Sequence, residues 1–190
     1  MSQLRPALVC IAALTLITGL AYPLAMTGVG RALFPGRTQG SLILRQGQVV
    51  GSKLIGQFNE SPRYFWGRLS ATGDFPGNAD NSGGSNLAPS NPALRQAAQA
   101  RIQALKALDP TNTTPVPLDL VTASASGLDP HISPAAASYQ VRRVAAVRHM
   151  PEVKVRELVA AASRGRFLGL VGEPRVNVLE LNLALDGVER

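Results

Sequence analysis

Two serine-rich segments hold the residues of this chain that invite a chemical reading. Ser124-Ala125-Ser126-Gly127-Leu128-Asp129-Pro130-His131 places hydroxyls, a carboxylate and an imidazole within eight positions. A hydrolase built on them would use Ser126 as nucleophile and His131 as its base. The G-x-S-x-G elbow is missing, and Asp129 lies only two residues before His131. Turn chemistry at Ser126-Gly127 and Asp129-Pro130 is therefore the competing account. The second segment, Ser82-Gly83-Gly84-Ser85-Asn86, has the composition of a nest of backbone N–H groups able to hold a phosphate, and equally that of a surface turn. Neither a G-x-x-x-x-G-K-[ST] loop nor a G-x-G-x-x-G turn accompanies it.

Other chemistries are poorly supplied. The single cysteine, Cys10, lies in a hydrophobic run, and the two histidines are His131 and His149, too few for a thiolate or imidazole metal site. The net charge is +7, but the arginines are scattered and aromatic residues make up 5% of the chain. Without a basic run or a stacking platform, nucleic-acid binding is not expected.

The elements that must position these residues begin with an anchor. No charged side chain lies between Arg5 and Arg31, and Ala7 to Gly30 is 24 residues long. As a helix this run rises about 36 Å, enough to cross a bilayer with some tilt. It continues through Tyr22-Pro23-Leu24-Ala25-Met26 where a signal peptide would end in a small-x-small site, so retention as an anchor over 1–33 is expected. Thr15, Gly19, Pro23 and Thr27 recur every fourth residue and form one ridge of small or polar groups, suited to a partner helix in the membrane. Such residues are also simply common in membrane helices. One uncharged helix encloses no pore. Arg31, Arg37 and Arg45 outnumber Arg5, which by itself favours a cytoplasmic domain, although long domains translocate largely regardless of charge.

Residues 34–190 read as one mixed α+β domain, net basic from Arg31 onward with 18 basic against 12 acidic residues. Ser41–Arg45 and Val49–Ile55 are expected as short strands, and 67–92 as a long loop. Asn91-Pro92 and Ser133-Pro134 each carry the cap-plus-proline signature of a helix start. The first helix runs to Asp109-Pro110, and a further helix follows Pro151. Leu118–Thr122 reads as a strand. Arg175–Leu185 reads as another, with a bulge between Val178 and Leu181 where alternation breaks.

Strings in the same order from end to end resemble one family. They include Leu4-Arg5-Pro6-Ala7-Leu8, Gly51-Ser52-Lys53-Leu54-Ile55-Gly56-Gln57, Tyr64-Phe65-Trp66-Gly67-Arg68, Ser82–Leu87, Leu120–Asp129, Tyr139-Gln140 with Arg143-Val144-Ala145, and Leu179-Glu180-Leu181-Asn182-Leu183-Ala184-Leu185-Asp186. The chain is similar in these to the C subunit of the Kdp potassium-transporting ATPase. It departs at Leu69, where the family usually has proline, and in the order of Gln57-Phe58-Asn59. The resemblance implies a non-catalytic accessory subunit of an inner-membrane, ATP-driven potassium importer, single-pass, with a periplasmic domain. The implied partners are a channel-like potassium-binding subunit, a P-type ATPase subunit and a small helical subunit. It further implies a catalytic chaperone that raises the ATPase subunit's affinity for ATP, through a glutamine whose matching position is Gln140. A helix-surface glutamine without a ligand is the alternative there. ATP, shared with the ATPase subunit, is the only cofactor so implied. A periplasmic domain places Gln140 on the opposite side of the membrane from ATP, which would make any such effect allosteric.

Overall fold

A computed structural model describes residues 3–188; the outermost positions of the two expected regions, 1–2 and 189–190, lie outside the described residues. The chain divides into two compact units at Val50–Gly51.

The first unit opens with a helix over Leu4–Leu33, three residues longer at each end than the uncharged run. It comprises α1 (Leu4–Leu14), a π-helical segment (Thr15–Ala21) and α2 (Tyr22–Leu33). The Tyr22 N–H reaches back to the Ile17 carbonyl, a five-residue step. Pro23 has no N–H to donate and would crowd a regular preceding turn, and the wide segment just before it absorbs that misfit. None of this helix is buried in the fold, as expected where lipid is the solvent. A single turn, α3 (Pro35–Thr38), follows, and then a two-stranded hairpin of β1 (Leu42–Arg45) and β2 (Gln48–Ser52).

The second unit is mixed α/β. Both cap-plus-proline signatures open helices. In α4 (Pro92–Leu108) the Asn91 side chain accepts the Ala93 N–H at 2.9 Å, and in α5 (Pro134–Arg148) Ser133 Oγ accepts the Ala136 N–H at 3.0 Å. His149 ends α5 in a left-handed conformation, and the Met150 N–H closes the last turn on the Ala145 carbonyl. α5 is the central element, burying Ala136, Ala137, Val141, Val144 and Ala145 among others. α6 (Glu152–Ala162) adds Val155 and Val159. A small antiparallel sheet, ordered β3-β5-β4, joins β3 (His131–Ile132), β4 (Ser163–Arg164) and β5 (Arg175–Asn177).

Two expected strands are helical instead. Leu118–Leu120 forms a 3-10 turn. Leu118 faces solvent while Leu120 and Val121 are buried, and Asp119 is drawn away to accept the Ser133 N–H at 2.7 Å and its hydroxyl at 3.2 Å. A long-range cap overrides local alternation. The expected strand over Arg175–Leu185 stops at Asn177, where α7 (Val178–Val188) begins. Asn177 Oδ1 accepts the Glu180 N–H at 3.1 Å, the geometry of a helix cap. The irregular interval from Val178 to Leu181 is therefore a change of period. Val178, Leu181 and Leu185, spaced by three and four, are all buried on one helical face.

The expected 67–92 loop ends at Asn91, since Pro92 already belongs to α4, and is irregular apart from one 3-10 turn at Ala79–Asn81 and a single bridge from Leu69 to Ala123. It is tied down internally: Ser70 Oγ accepts the Gly77 N–H at 3.0 Å, Thr72 Oγ1 accepts the Asn78 N–H at 3.2 Å, and Asn78 is buried.

Candidate functional site

The best-built polar cluster surrounds segment 61–67, which turns at Pro62–Arg63 and runs without regular secondary structure over 65–67. Trp66 donates its backbone N–H to Gln140 Oε1 at 2.8 Å, and Gln140 Nε2 donates to the Trp66 carbonyl at 3.1 Å. Asn182 does the same for Phe65, accepting its N–H at 2.8 Å and donating to its carbonyl at 3.0 Å. Each amide thus copies the two-bond exchange of a neighbouring strand. One clamp comes from α5 and the other from α7, so two adjacent residues are held by two different helices.

Arginines complete the cluster. Arg143 donates to Gln140 Oε1 at 2.6 Å, to the Tyr64 carbonyl at 3.0 Å and to the Pro62 carbonyl. Burial pulls its pKa down to about 10, only partly countered by Asp109, so it remains a cation at neutral pH. Arg101 of α4 lies 4.4 Å over the Trp66 ring and donates to the Leu120 and Gly67 carbonyls. Its pKa is also lowered by burial, against the raising effect of Glu60. Arg148 donates to the Arg63 carbonyl at 2.7 Å and pairs with Asp186 at 2.9 Å.

Gln140 is 1% exposed, so the helix-surface account of it does not hold. Its oxygen takes two donors, and its nitrogen serves the Trp66 and Ala136 carbonyls. Asn182 and Arg143 escaped the sequence reading as site residues. The signal available was their place in strings such as Leu181-Asn182-Leu183, where one amide interrupts an apolar run.

The two serine-rich segments pack on each other. Ser82 Oγ and the Gly83 N–H both donate to the Ser126 carbonyl, at 3.0 and 2.9 Å. A side chain on Gly84 would approach the Ala125 carbonyl to 3.0 Å. Gly127, at φ +70°, leaves no room for a Cβ, which would sit 2.4 Å from the Thr72 methyl and 2.9 Å from the Gly83 carbonyl. The glycines allow two loops to meet, and the Gly83 N–H is spent within the chain.

Asp129 and His131 do come together, with His131 Nδ1 3.3 Å from Asp129 Oδ1. Ser126 does not join them: its hydroxyl accepts the Leu128 N–H at 3.1 Å. The cleft of about 310 Å³ beside His131 is lined instead by Arg68, Asp119, Asp129, Ser133 and Arg175. Burial acts to raise the Asp129 pKa, but hydrogen bonds from the His131 side chain and backbone and the charge of Arg68 outweigh it, leaving the carboxyl below its ordinary value. An apolar groove of about 430 Å³ runs between α4 and the long loop, with Trp66 and Arg101 against Leu69, Leu87, Ala97 and Val121.

In the anchor, Thr15, Gly19, Pro23 and Thr27 are all exposed. A Cβ at Gly19 would lie 3.9 Å from the Thr15 methyl, so these two do share one strip of helix surface.

Fold and site together define a membrane-associated protein: one apolar helix, then a mixed α/β domain whose polar machinery grips its own backbone. Comparison with known proteins sharpens the class. The model of the KdpC family, described as the c chain of the K+-transporting ATPase, matches residues 4–187, and the chain belongs to this family. It is 63% identical over 186 residues to the potassium-transporting ATPase KdpC subunit of Polaromonas naphthalenivorans, covering 98% of this chain and 95% of the relative. The corresponding subunit of Ralstonia nicotianae is 62% identical, with 98% and 91% covered. That of Sorangium cellulosum is 58% identical, with 98% of each covered. The family is that of a subunit of a potassium-transporting ATPase, and the resemblance noted in the sequence is shown.

Proposed function

We propose that the protein is a non-catalytic accessory subunit that assembles and stabilises a potassium-importing ATPase complex in the inner membrane. The observation that carries this reading is the near full-length match to relatives bearing the KdpC subunit name. The partners in this reading are the channel-like potassium-binding subunit, the P-type ATPase subunit and the small helical subunit. The soluble domain is periplasmic, and the Thr15–Gly19–Pro23–Thr27 ridge packs on a partner helix, where small residues permit close approach.

A catalytic-chaperone effect on ATP is then transmitted rather than direct. The saturated, buried amide of Gln140 supports this: it acts by holding Trp66 and the 61–67 segment in place, not by touching a nucleotide. A change at Gln140 would reach ATP only by altering how the domain and helix bear on the partners, a coupling free energy between distant sites.

The test is deletion of the gene followed by purification of the remaining complex. The expected results are loss of co-purifying subunits and of growth under potassium limitation. Where some complex persists, its KM for ATP should be raised. A deletion strain that assembles a fully active pump with unchanged KM would sink the proposal.

A further inference from the structure

The link between β4 and β5 is an outward hairpin arm that the clamp, the groove and the membrane helix leave unused. Its tip carries Phe167, Leu168, Leu170 and Val171, exposed at 71, 79, 83 and 66%. The backbone that carries them is closed by its own hydrogen bonds. Phe167 and Val171 exchange backbone hydrogen bonds at 2.8 and 3.1 Å, and Leu170 and Gly169 close the turn on the Phe167 and Arg166 carbonyls. Leu168 is held at φ +51°, a conformation that residues other than glycine and asparagine rarely adopt. Lower on the arm, Arg166 makes a two-oxygen contact with Glu173 across the hairpin, both at 3.0 Å.

At the base, Arg164 and Arg175 are direct cross-strand partners. Both are exposed, and among the described residues neither forms an ion pair. Like charges placed directly opposite on an antiparallel pair repel. An anion between them would relieve that repulsion. A rigid apolar tip with an arginine pair about three residues behind it, roughly 10 Å along an extended chain, matches the depth profile of a lipid interface. There apolar groups sit some 5–10 Å below the phosphates.

We propose that this arm is a second membrane contact: Phe167, Leu168, Leu170 and Val171 enter the acyl boundary of an anionic bilayer while Arg164 and Arg175 take lipid phosphate. A bilayer is favoured over a protein partner because the chain itself, through its Leu4–Leu33 helix, carries a means of keeping one within reach. The tip offers apolar bulk without hydrogen-bonding side chains, which suits lipid. Each arginine at an anionic surface is worth about fivefold in partition.

The test uses the full chain with Cys10→Ala and Leu170→Cys, labelled with an environment-sensitive fluorophore at 170 and reconstituted without other subunits. The vesicles are phosphatidylethanolamine with a minority of phosphatidylglycerol. Emission is expected to shift to the blue and to be quenched by lipids carrying a shallow doxyl group. Both effects should be lost in Arg164→Glu/Arg175→Glu and in vesicles where phosphatidylcholine replaces phosphatidylglycerol. The same label at Leu118→Cys, also an exposed leucine (74%), should stay water-like. Water-like emission at 170, a shift that arginine reversal leaves intact, or an equal shift at 118 overturns the proposal. So does protection of 170 that arises only when the other subunits are present, which would make the arm a protein interface and leave the accessory-subunit reading untouched.

Discussion

Replacing Gln140 with leucine removes four hydrogen bonds at a position with no access to water. The Trp66 N–H and the Arg143 guanidinium are left buried with fewer partners, and each such group costs about 1–3 kcal/mol. A loss of about 3 kcal/mol in folding stability is expected, read from denaturant unfolding in detergent. Gly127→Ala tests the loop junction. Its φ of +70° and the 2.4 Å approach to Thr72 leave no room for a methyl, so a destabilisation of about 1–3 kcal/mol should appear, without change in the anchor. Asp129 supplies a pH dependence. Its folded pKa is below the ordinary carboxylate value, so its contribution is present above that ordinary value and is lost as pH falls through the folded one. Asp129→Asn should flatten the acid limb of the stability curve and leave the neutral region with a constant offset. A variant with the same acid slope as the parent would show that the His131 and Arg68 contacts do not govern it.

At the scale of elements, Asn177 joins a strand to a helix. Its Oδ1 caps α7 and its Nδ2 donates to the Lys53 carbonyl at 2.9 Å. Asn177→Ala should cost about 1–2 kcal/mol, visible as faster amide exchange in the first turn of α7. The same residue shows how far the sequence could be read. Asn177 with Glu180 three positions on has the spacing of a capping pair, yet the alternation of Val176 and Val178 runs straight through it and reads as strand. Where a cap and a proline stand together, as at Asn91-Pro92 and Ser133-Pro134, local chemistry alone marked the helix start. At Leu118–Leu120 no local signal sufficed, because the pull on Asp119 comes from Ser133, fourteen residues away. The candidate site was less legible than the fold. Gln140 could be singled out only by resemblance, and its amide partner Asn182 is 42 positions further along the chain. The pairing of the Ser82–Asn86 and Ser124–Gly127 segments rests on backbone carbonyls, which composition does not encode.

For the molecule as a whole, the π-helical segment and Pro23 make the anchor an irregular surface against which another helix can be specific. If the ridge carries subunit contact, Gly19→Leu should weaken co-purification of the membrane partners while leaving the soluble unit's unfolding curve unchanged. Comparable loss from Ile17→Ala, two residues from both Thr15 and Gly19 and therefore on the opposite side of the helix, would point to general apolar bulk instead. The clamped segment has a consequence for biogenesis. Phe65 and Tyr64 find their partners at Asn182 and Asp186, separations of 117 and 122 residues, whereas Trp66 meets Gln140 after 74. During synthesis the aromatic stretch emerges early and stays half-held until the last helix is made. A chain cut short before Asn177 would be threaded into the membrane without Asn182 and Asp186, leaving Phe65 and Tyr64 open to proteases and chaperones. Completion of the final helix is thus the step at which a nascent subunit becomes fit to be kept.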